Sequence, residues 1–180
     1  TDSSAPTEEP TDAPTSEKVP YEEGTTMADL AEAGTITIGT KFAQPLFGLA
    51  GPDGIPVGFD IEIGKIIAGQ LDIAPEDITW VETVSANREP FIQSGDVDIV
   101  IATYTINDKR KEVVSFAGPY YEAGQDILVA SGNPEGIDGP EWFADNPDAT
   151  VCTVSGSTSL TNIQEYTSNI LEAADYADCL

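Results

Sequence analysis

Residues 96–121, DVDIVIATYTINDKRKEVVSFAGPYY, read in order as strand, polar turn, short helix and second strand. Asp98-Ile-Val-Ile-Ala102 is an almost unbroken apolar run of strand length, the pattern of a strand buried on both faces in a parallel sheet. Thr103-Tyr-Thr-Ile-Asn107 then leaves the sheet, and Asn107 can cap a short helix carrying Lys109, Arg110 and Lys111. Hydroxyls and a guanidinium therefore gather just past the carboxyl end of a strand, where open α/β sheets bind ligands.

Working outward toward the amino terminus, Met27 to Ala33 reads as a short helix and Thr35 to Thr40 alternates as a strand, with Lys41 and Phe42 at its carboxyl end. The glycine- and proline-rich loop from Gly48 to Gly58 leads into a helix whose apolar set Phe59, Ile63, Ile66, Ile67 and Leu71 is expected on one face. Asp60 stands in its first turn, where the helix dipole favours an anion. Ile78 to Val81 is the next strand, and Arg88 enters the helix that follows. On the other side of the opening stretch, Gln125 to Ala130 is expected as a further strand. Strands alternating with helices over short connections imply a parallel, three-layer α/β lobe. From Ser131 the character changes, and a strand from Thr150 to Val154 running into Ser155-Gly-Ser-Thr-Ser159 and a helix opens a second lobe. The expected division is residues 1–26 as a disordered, acidic, Pro/Thr-rich tether, 27–130 as lobe 1, and 131–180 as part of lobe 2.

The chain of 180 residues holds 32 Asp plus Glu against 7 Lys plus Arg, a net charge of −25. Such a surface repels phosphate backbones and anionic lipid, so no nucleic-acid partner is expected. Histidine is absent, which removes the commonest general base, the Ser-His and Cys-His nucleophile pairs and the usual zinc ligand. None of the G-x-S-x-G, P-loop or dinucleotide-binding glycine patterns occurs. The composition thus points away from an enzyme, and no cofactor or metal is expected. The two cysteines, Cys152 and Cys179, leave one disulfide and two free buried thiols equally open on count alone.

Four polar groups share one architectural place, the carboxyl end of an expected strand: Lys41, Arg88, the Thr103/Thr105/Arg110 group, and Ser157/Thr158. Three of the four include a cation, in a chain that has only 7 of them. A cation held in a cleft is costly unless an anion meets it, so a carboxylate-bearing ligand is implied. Each residue also has a plainer reading. Arg110 can lie on a solvated helix face paired with Asp108 or Glu112, Arg88 on the surface beside Glu89 or Glu82, and Lys41 in an exposed loop. Ser157 and Thr158 can be simple helix caps, and Phe42 and Tyr104 can be core rather than a cover for ligand methylenes.

The run GDVDIVIATYTINDKRKEVVSFAGPYYEAG closely resembles the signature of the family 3 extracellular solute-binding proteins, the polar amino-acid receptors of ABC importers. VGFDIEIGKIIAGQL resembles that family's first helix, SANREPFIQSG its second, and VCTVSGSTS the start of its second lobe. The glutamate-binding lipoproteins of actinobacteria are the most similar in pattern, sharing a cysteine in the strand before V-S-G-S-T and another near Cys179. The resemblance implies an α/β fold of the periplasmic-binding-protein type II class, two three-layer α/β lobes around a ligand cleft, with lobe 2 incomplete over these residues.

The same resemblance implies that Arg110 binds an α-carboxylate, helped by Thr105 and by Ser157 or Thr158, while the Thr103 carbonyl and Thr105 hydroxyl accept from the α-ammonium. It places Arg88 and Lys41 near a side-chain carboxylate, favouring L-glutamate or L-aspartate over glutamine. The implied partners are that amino acid and an ABC permease in the membrane. The implied location is the cell surface, with the chain lipid-anchored to the cytoplasmic membrane through its amino-terminal tether. A monomer is implied for a complete chain, and two copies completing each other by swapping for a truncated one. A glutamine or other polar amino-acid receptor, and a non-transport sensor or dehydratase-like lobe, are the alternative readings.

Overall fold

The computed structural model describes residues 21–180, so most of the expected tether lies outside the described residues. Helix α1 (Thr26–Ala33) opens on Thr25, whose hydroxyl accepts from the Ala28 amide, and closes on left-handed Gly34. Tyr21, inside the stretch read as tether, packs against the core and donates its hydroxyl to the Gln70 carbonyl. Strand β1 (Ile36–Thr40) follows, then three short strands, β2 (Ala43–Gln44), β3 (Gly48–Ala50) and β4 (Pro56–Val57), which pair antiparallel in that order. Helix α2 (Phe59–Gln70) leads to β5 (Ile78–Glu82), α3 (Arg88–Ser94), β6 (Ile99–Val100) and α4 (Asp108–Lys111). After a long irregular stretch come α5 (Trp142–Asp145), β7 (Val151–Val154), α6 (Thr158–Ile163) and β8 (Ile170–Ala173).

The main sheet is parallel in the order β5-β1-β6, with Ile38 of β1 opposite Trp80 of β5 and Ile99 of β6. Strand β1 is central and nearly all buried, as a doubly flanked parallel strand requires. Ile36, Ile38, Ala68, Leu71, Ile73, Ile78 and Ile101 form the core. A second parallel pair, β7 with β8, is separate from it.

Three sequence expectations are corrected. The buried residues of α2 are Asp60, Ile61, Gly64 and Ala68, whereas Phe59 and Ile66 of the expected apolar face are 41% and 61% exposed. The reason is close approach: a Cβ at Gly64 would meet the Trp80 ring at 2.6 Å, so the small-residue face lies on the sheet and Ile66 turns outward. The second strand expected within residues 96–121 and the strand expected at Gln125 to Ala130 are irregular, with Leu128 81% exposed. An extended apolar segment becomes a strand only with a backbone ladder to pair with, and among the described residues β6 ends the main sheet with none beside it.

Candidate functional site

The sheet positions its carboxyl ends on one side, and three cations arrive there. Lys41 follows β1 directly and is 2% exposed, with Nζ donating to Ser85 Oγ at 3.0 Å. Arg88, the first residue of α3, is 3% exposed. Its Nε donates to the Ser85 carbonyl at 3.1 Å, Nη1 to the Ala102 carbonyl at 3.3 Å and Nη2 to the Gly156 carbonyl at 3.2 Å. Arg110 is 8% exposed and sits in α4, whose first turn is capped by Asn107 Oδ1 accepting from the Arg110 amide at 2.9 Å, as the sequence predicts. Its Nη1 donates to the Thr105 carbonyl at 2.9 Å and its Nη2 to the Gly156 carbonyl at 3.2 Å. The surface readings of all three cations are therefore overturned; Arg110 faces Glu89 Oε1 at 3.5 Å.

Both guanidinium groups lie against the Tyr104 ring, that of Arg88 4.3 Å and that of Arg110 4.5 Å from its centroid. Its hydroxyl donates to Glu89. The aromatic face attracts both cations and lets two like charges share a small volume. Phe42, the other aromatic expected there, is half-buried and makes no ring or cation contact of this cluster among the described residues.

The hydroxyl residues divide. Thr105 Oγ1 lies 3.2 Å from Thr158 Oγ1, which joins the loop after β6 to the start of α6. Ser157 caps α6, accepting from the Leu160 amide at 3.0 Å, so the plain cap reading accounts for its position. Thr103 has a positive φ of 45° and donates its hydroxyl to Gln44 Oε1 at 3.0 Å.

The electrostatics follow from burial. Desolvation first, then the neighbouring Arg88 charge, brings the Lys41 ammonium down to about 8, against partial compensation by Asp175 and Glu82. Burial and then the Arg110 charge bring Arg88 down to about 10. Burial, then its bond to Glu89, raises the Tyr104 hydroxyl well above the usual phenol range. Among the described residues these three buried cations have one carboxylate within ion-pair distance, Glu89, with Asp175 and Glu82 acting on Lys41 from further off, so positive charge predominates in the cluster. Each guanidinium has five N–H groups, and the contacts above engage one on each of its three nitrogens, so two remain on each. The arrangement can accept an anion without rebuilding the site.

Four contributors escaped the sequence reading. Ser85 was seen only as part of a helix entry, Glu89 only as a surface partner, and Asp60 only as a first-turn anion. Gly156 supplies the carbonyl shared by Arg88 and Arg110; with φ 73° and a Cβ that would lie 2.8 Å from Ala86 Cα, the position demands glycine. The V-S-G-S-T motif was the one signal that could have drawn attention to it. Cys152 and Cys179 form a disulfide, which ties β7 to the carboxyl-terminal turn Tyr176–Cys179.

The sequence pattern of the bacterial extracellular solute-binding proteins, family 3, matches residues 36–177. This chain belongs to that family. It is 36% identical over 158 residues to the glutamate-binding protein GluB of Corynebacterium efficiens, a match spanning 83% of this chain and 52% of the relative. It is equally 36% identical over 156 residues to the glutamine-binding protein GlnH of an ABC transporter of Bacillus subtilis, spanning 85% and 56%. The chain thus spans about half the length of these curated relatives. Among solved structures, an ancestral amino acid-binding protein described as a precursor of cyclohexadienyl dehydratase superposes with a TM-score of 0.78 at 30% identity, covering 86% of this chain and 67% of the other. An ancestral arginine-binding protein bound to glutamine gives 0.70 at 32% identity, covering 81% and 62%. The type II periplasmic-binding fold is therefore the fold of this family member, and amino-acid solute receptors are its relatives.

Proposed function

We propose that this chain is the extracellular receptor component of an amino-acid ABC importer, capturing an acidic amino acid, L-glutamate or L-aspartate, and delivering it to a membrane permease. The observation that carries the reading is the convergence of Lys41, Arg88 and Arg110, each less than one-tenth exposed, in a chain of net charge −25. Cations in so acidic a chain would find carboxylates at the surface; burying three with only Glu89 in ion-pair distance among the described residues is favoured when a ligand supplies further negative charge.

In this reading residues 27–130 and 131–180 belong to two lobes that meet around the ligand. Arg110 takes the α-carboxylate with its two free N–H groups, Thr105 and Thr158 add hydroxyls from opposite sides, and the Thr103 carbonyl and Thr105 hydroxyl receive the α-ammonium. Ser157 holds the start of α6. Lys41 and Arg88 meet the side-chain carboxylate, with Tyr104 as the cover over its methylenes. A neutral amide at that place leaves a buried cation unpaired, which is the basis of discrimination. The family is extracellular by name, and we place this member at the cell surface, tethered by its acidic amino-terminal segment to a lipid anchor.

Glutamine is the second reading, supported by the glutamine-binding relative and by the Lys41 ammonium being partnered by Ser85. Calorimetric titration with L-glutamate, L-aspartate and L-glutamine separates the readings. A preference for the acids is expected; tighter binding of glutamine refutes the acidic assignment, and no heat with any of the three refutes the receptor reading for this chain.

A further inference from the structure

Asp60 makes no ion pair among the described residues, yet it is fully buried in the first turn of α2. Both of its oxygens are used. Oδ2 accepts from the Thr103 amide at 2.9 Å and Oδ1 from the Tyr120 hydroxyl at 3.0 Å. No cation contributes to its environment: burial raises its carboxyl above the ordinary range, and only those two hydrogen bonds oppose the shift. A buried carboxylate without a counter-charge is costly, so what it holds must matter.

What it holds is the first residue of the site loop. Thr103 adopts φ 45°, a left-handed conformation that a β-branched side chain takes only when its surroundings impose it. The next two residues are Tyr104, whose ring both guanidinium groups contact, and Thr105, whose carbonyl holds Arg110. The Gln44 side chain secures the Thr103 hydroxyl, and Asp60 accepts from its amide, with the Tyr120 hydroxyl that Asp60 holds also close to that backbone. The second Asp60 oxygen binds Tyr120, which lies in the long segment leading away from the sheet, so one carboxyl group fixes both the entrance to the site loop and that segment.

We propose that Asp60 is a positioning residue of the binding site, which sets the Tyr104 ring and the Arg110 guanidinium by holding Thr103 in its left-handed conformation. The inference rests on the acidic amino-acid receptor reading for its consequence but not for its geometry. Asparagine can reproduce the arrangement, its Oδ1 accepting from Thr103 N and its Nδ2 donating to the Tyr120 oxygen; alanine cannot.

The test uses the full chain and three variants, Asp60→Ala, Asp60→Asn and Asp60→Ala with Thr103→Gly. Hydrogen exchange on the free protein is expected to accelerate at Tyr104 to Ile106 in Asp60→Ala, with β1 unchanged, and to stay near wild type in Asp60→Asn. Glutamate affinity, measured on the folded fraction by titration, is expected to fall about 30-fold or more in Asp60→Ala and to stay within about threefold in Asp60→Asn. Glycine at 103 adopts the left-handed conformation without strain, so the double variant is expected to regain about fivefold or more over Asp60→Ala, a rescue that a loss of general stability does not predict. Unchanged exchange at Tyr104 to Ile106 in Asp60→Ala overturns the inference, as does failure of both Asp60→Asn and the double variant to recover affinity. If the wild type binds none of the amino acids, the receptor reading fails alone, and the exchange data still decide the positioning role.

Discussion

The Lys41 ammonium supplies a quantitative test of the acidic assignment. Burial and the neighbouring Arg88 hold it at about 8, so its charged fraction falls from about nine-tenths at pH 7 to about one-tenth at pH 9. If the ligand's side-chain carboxylate requires the charged form, apparent affinity scales with that fraction, and glutamate binding weakens about tenfold, or about 1.4 kcal/mol, over this interval. Glutamine carries the same kind of α-ammonium and α-carboxylate, so the ratio of the two dissociation constants largely cancels the titration of the ligand backbone. Isothermal titration of both ligands at pH 7, 8 and 9 is the assay, with Lys41→Met as the control whose ratio should not change with pH. A flat ratio in the wild type, or the same slope in Lys41→Met, refutes a charged Lys41 contact. Stability moves the other way: with the folded lysine near 8 and the unfolded one at its ordinary 10.5, the unfolded chain binds more protons between those values, so stability rises with pH there. Lys41→Met should lack that component of the rise in denaturant melts.

Arg110→Ala is expected to weaken amino-acid binding by about 100-fold or more, since a paired guanidinium to carboxylate contact is among the strong charge-assisted bonds; unchanged glutamate affinity would remove Arg110 from the site. Arg88→Ala should shift preference toward neutral side chains rather than abolish binding, read as the glutamate to glutamine ratio. The disulfide closes a segment with a separation of 27 residues, worth about 3–4 kcal/mol in the chain-entropy account, so urea melts with and without reductant should differ by about that amount, and Cys152→Ser with Cys179→Ser should match the reduced protein. Thr40 is fully buried with a hydroxyl that has no hydrogen-bond partner among the described residues; the near-isosteric Thr40→Val should be neutral or stabilising by about 1 kcal/mol, and a loss of stability of that size would mean the hydroxyl is in use.

How far the sequence could be read depended on whether a signal was local. The β1 strand, the α2 helix and the Asn107 cap were legible because hydrophobic period and capping chemistry act over a few residues. Of the expected α2 face, Ile63, Ile67 and Leu71 do pack on the core, whereas Phe59 and Ile66 were misread because the helix orientation is set by Gly64 against Trp80, 16 positions away, and apolar size alone favours Ile66. The strand expected at Gln125 to Ala130 shows the same limit: its composition fits a strand, but strand formation is a property of two segments. In the site, Arg88 and Arg110 were placed correctly in the chain, and yet their shared partner, Gly156, lies 68 and 46 residues on. Asp60 was seen in its first turn, but nothing near it in sequence announces Thr103, 43 residues away.

Relatives described as binding glutamate, glutamine and arginine align with 83%, 85% and 54% of this chain, so the shared fold does not itself set the ligand. In the proposed reading, the positive charge of the Lys41, Arg88, Arg110 and Glu89 cluster supplies the choice by subtraction. A basic side chain brought there adds a further buried cation to a cluster where positive charge already predominates, and the long-range field of a chain of −25 does not relieve it, since exposed charges beyond about 10 Å are screened at ordinary salt while the buried cluster is not. A neutral amide leaves the cluster as costly as it was. On the proposed acidic-receptor reading, an anionic side chain lowers the energy of the site, and the acidic surface does not oppose it, since burial isolates the cleft from the surface charge.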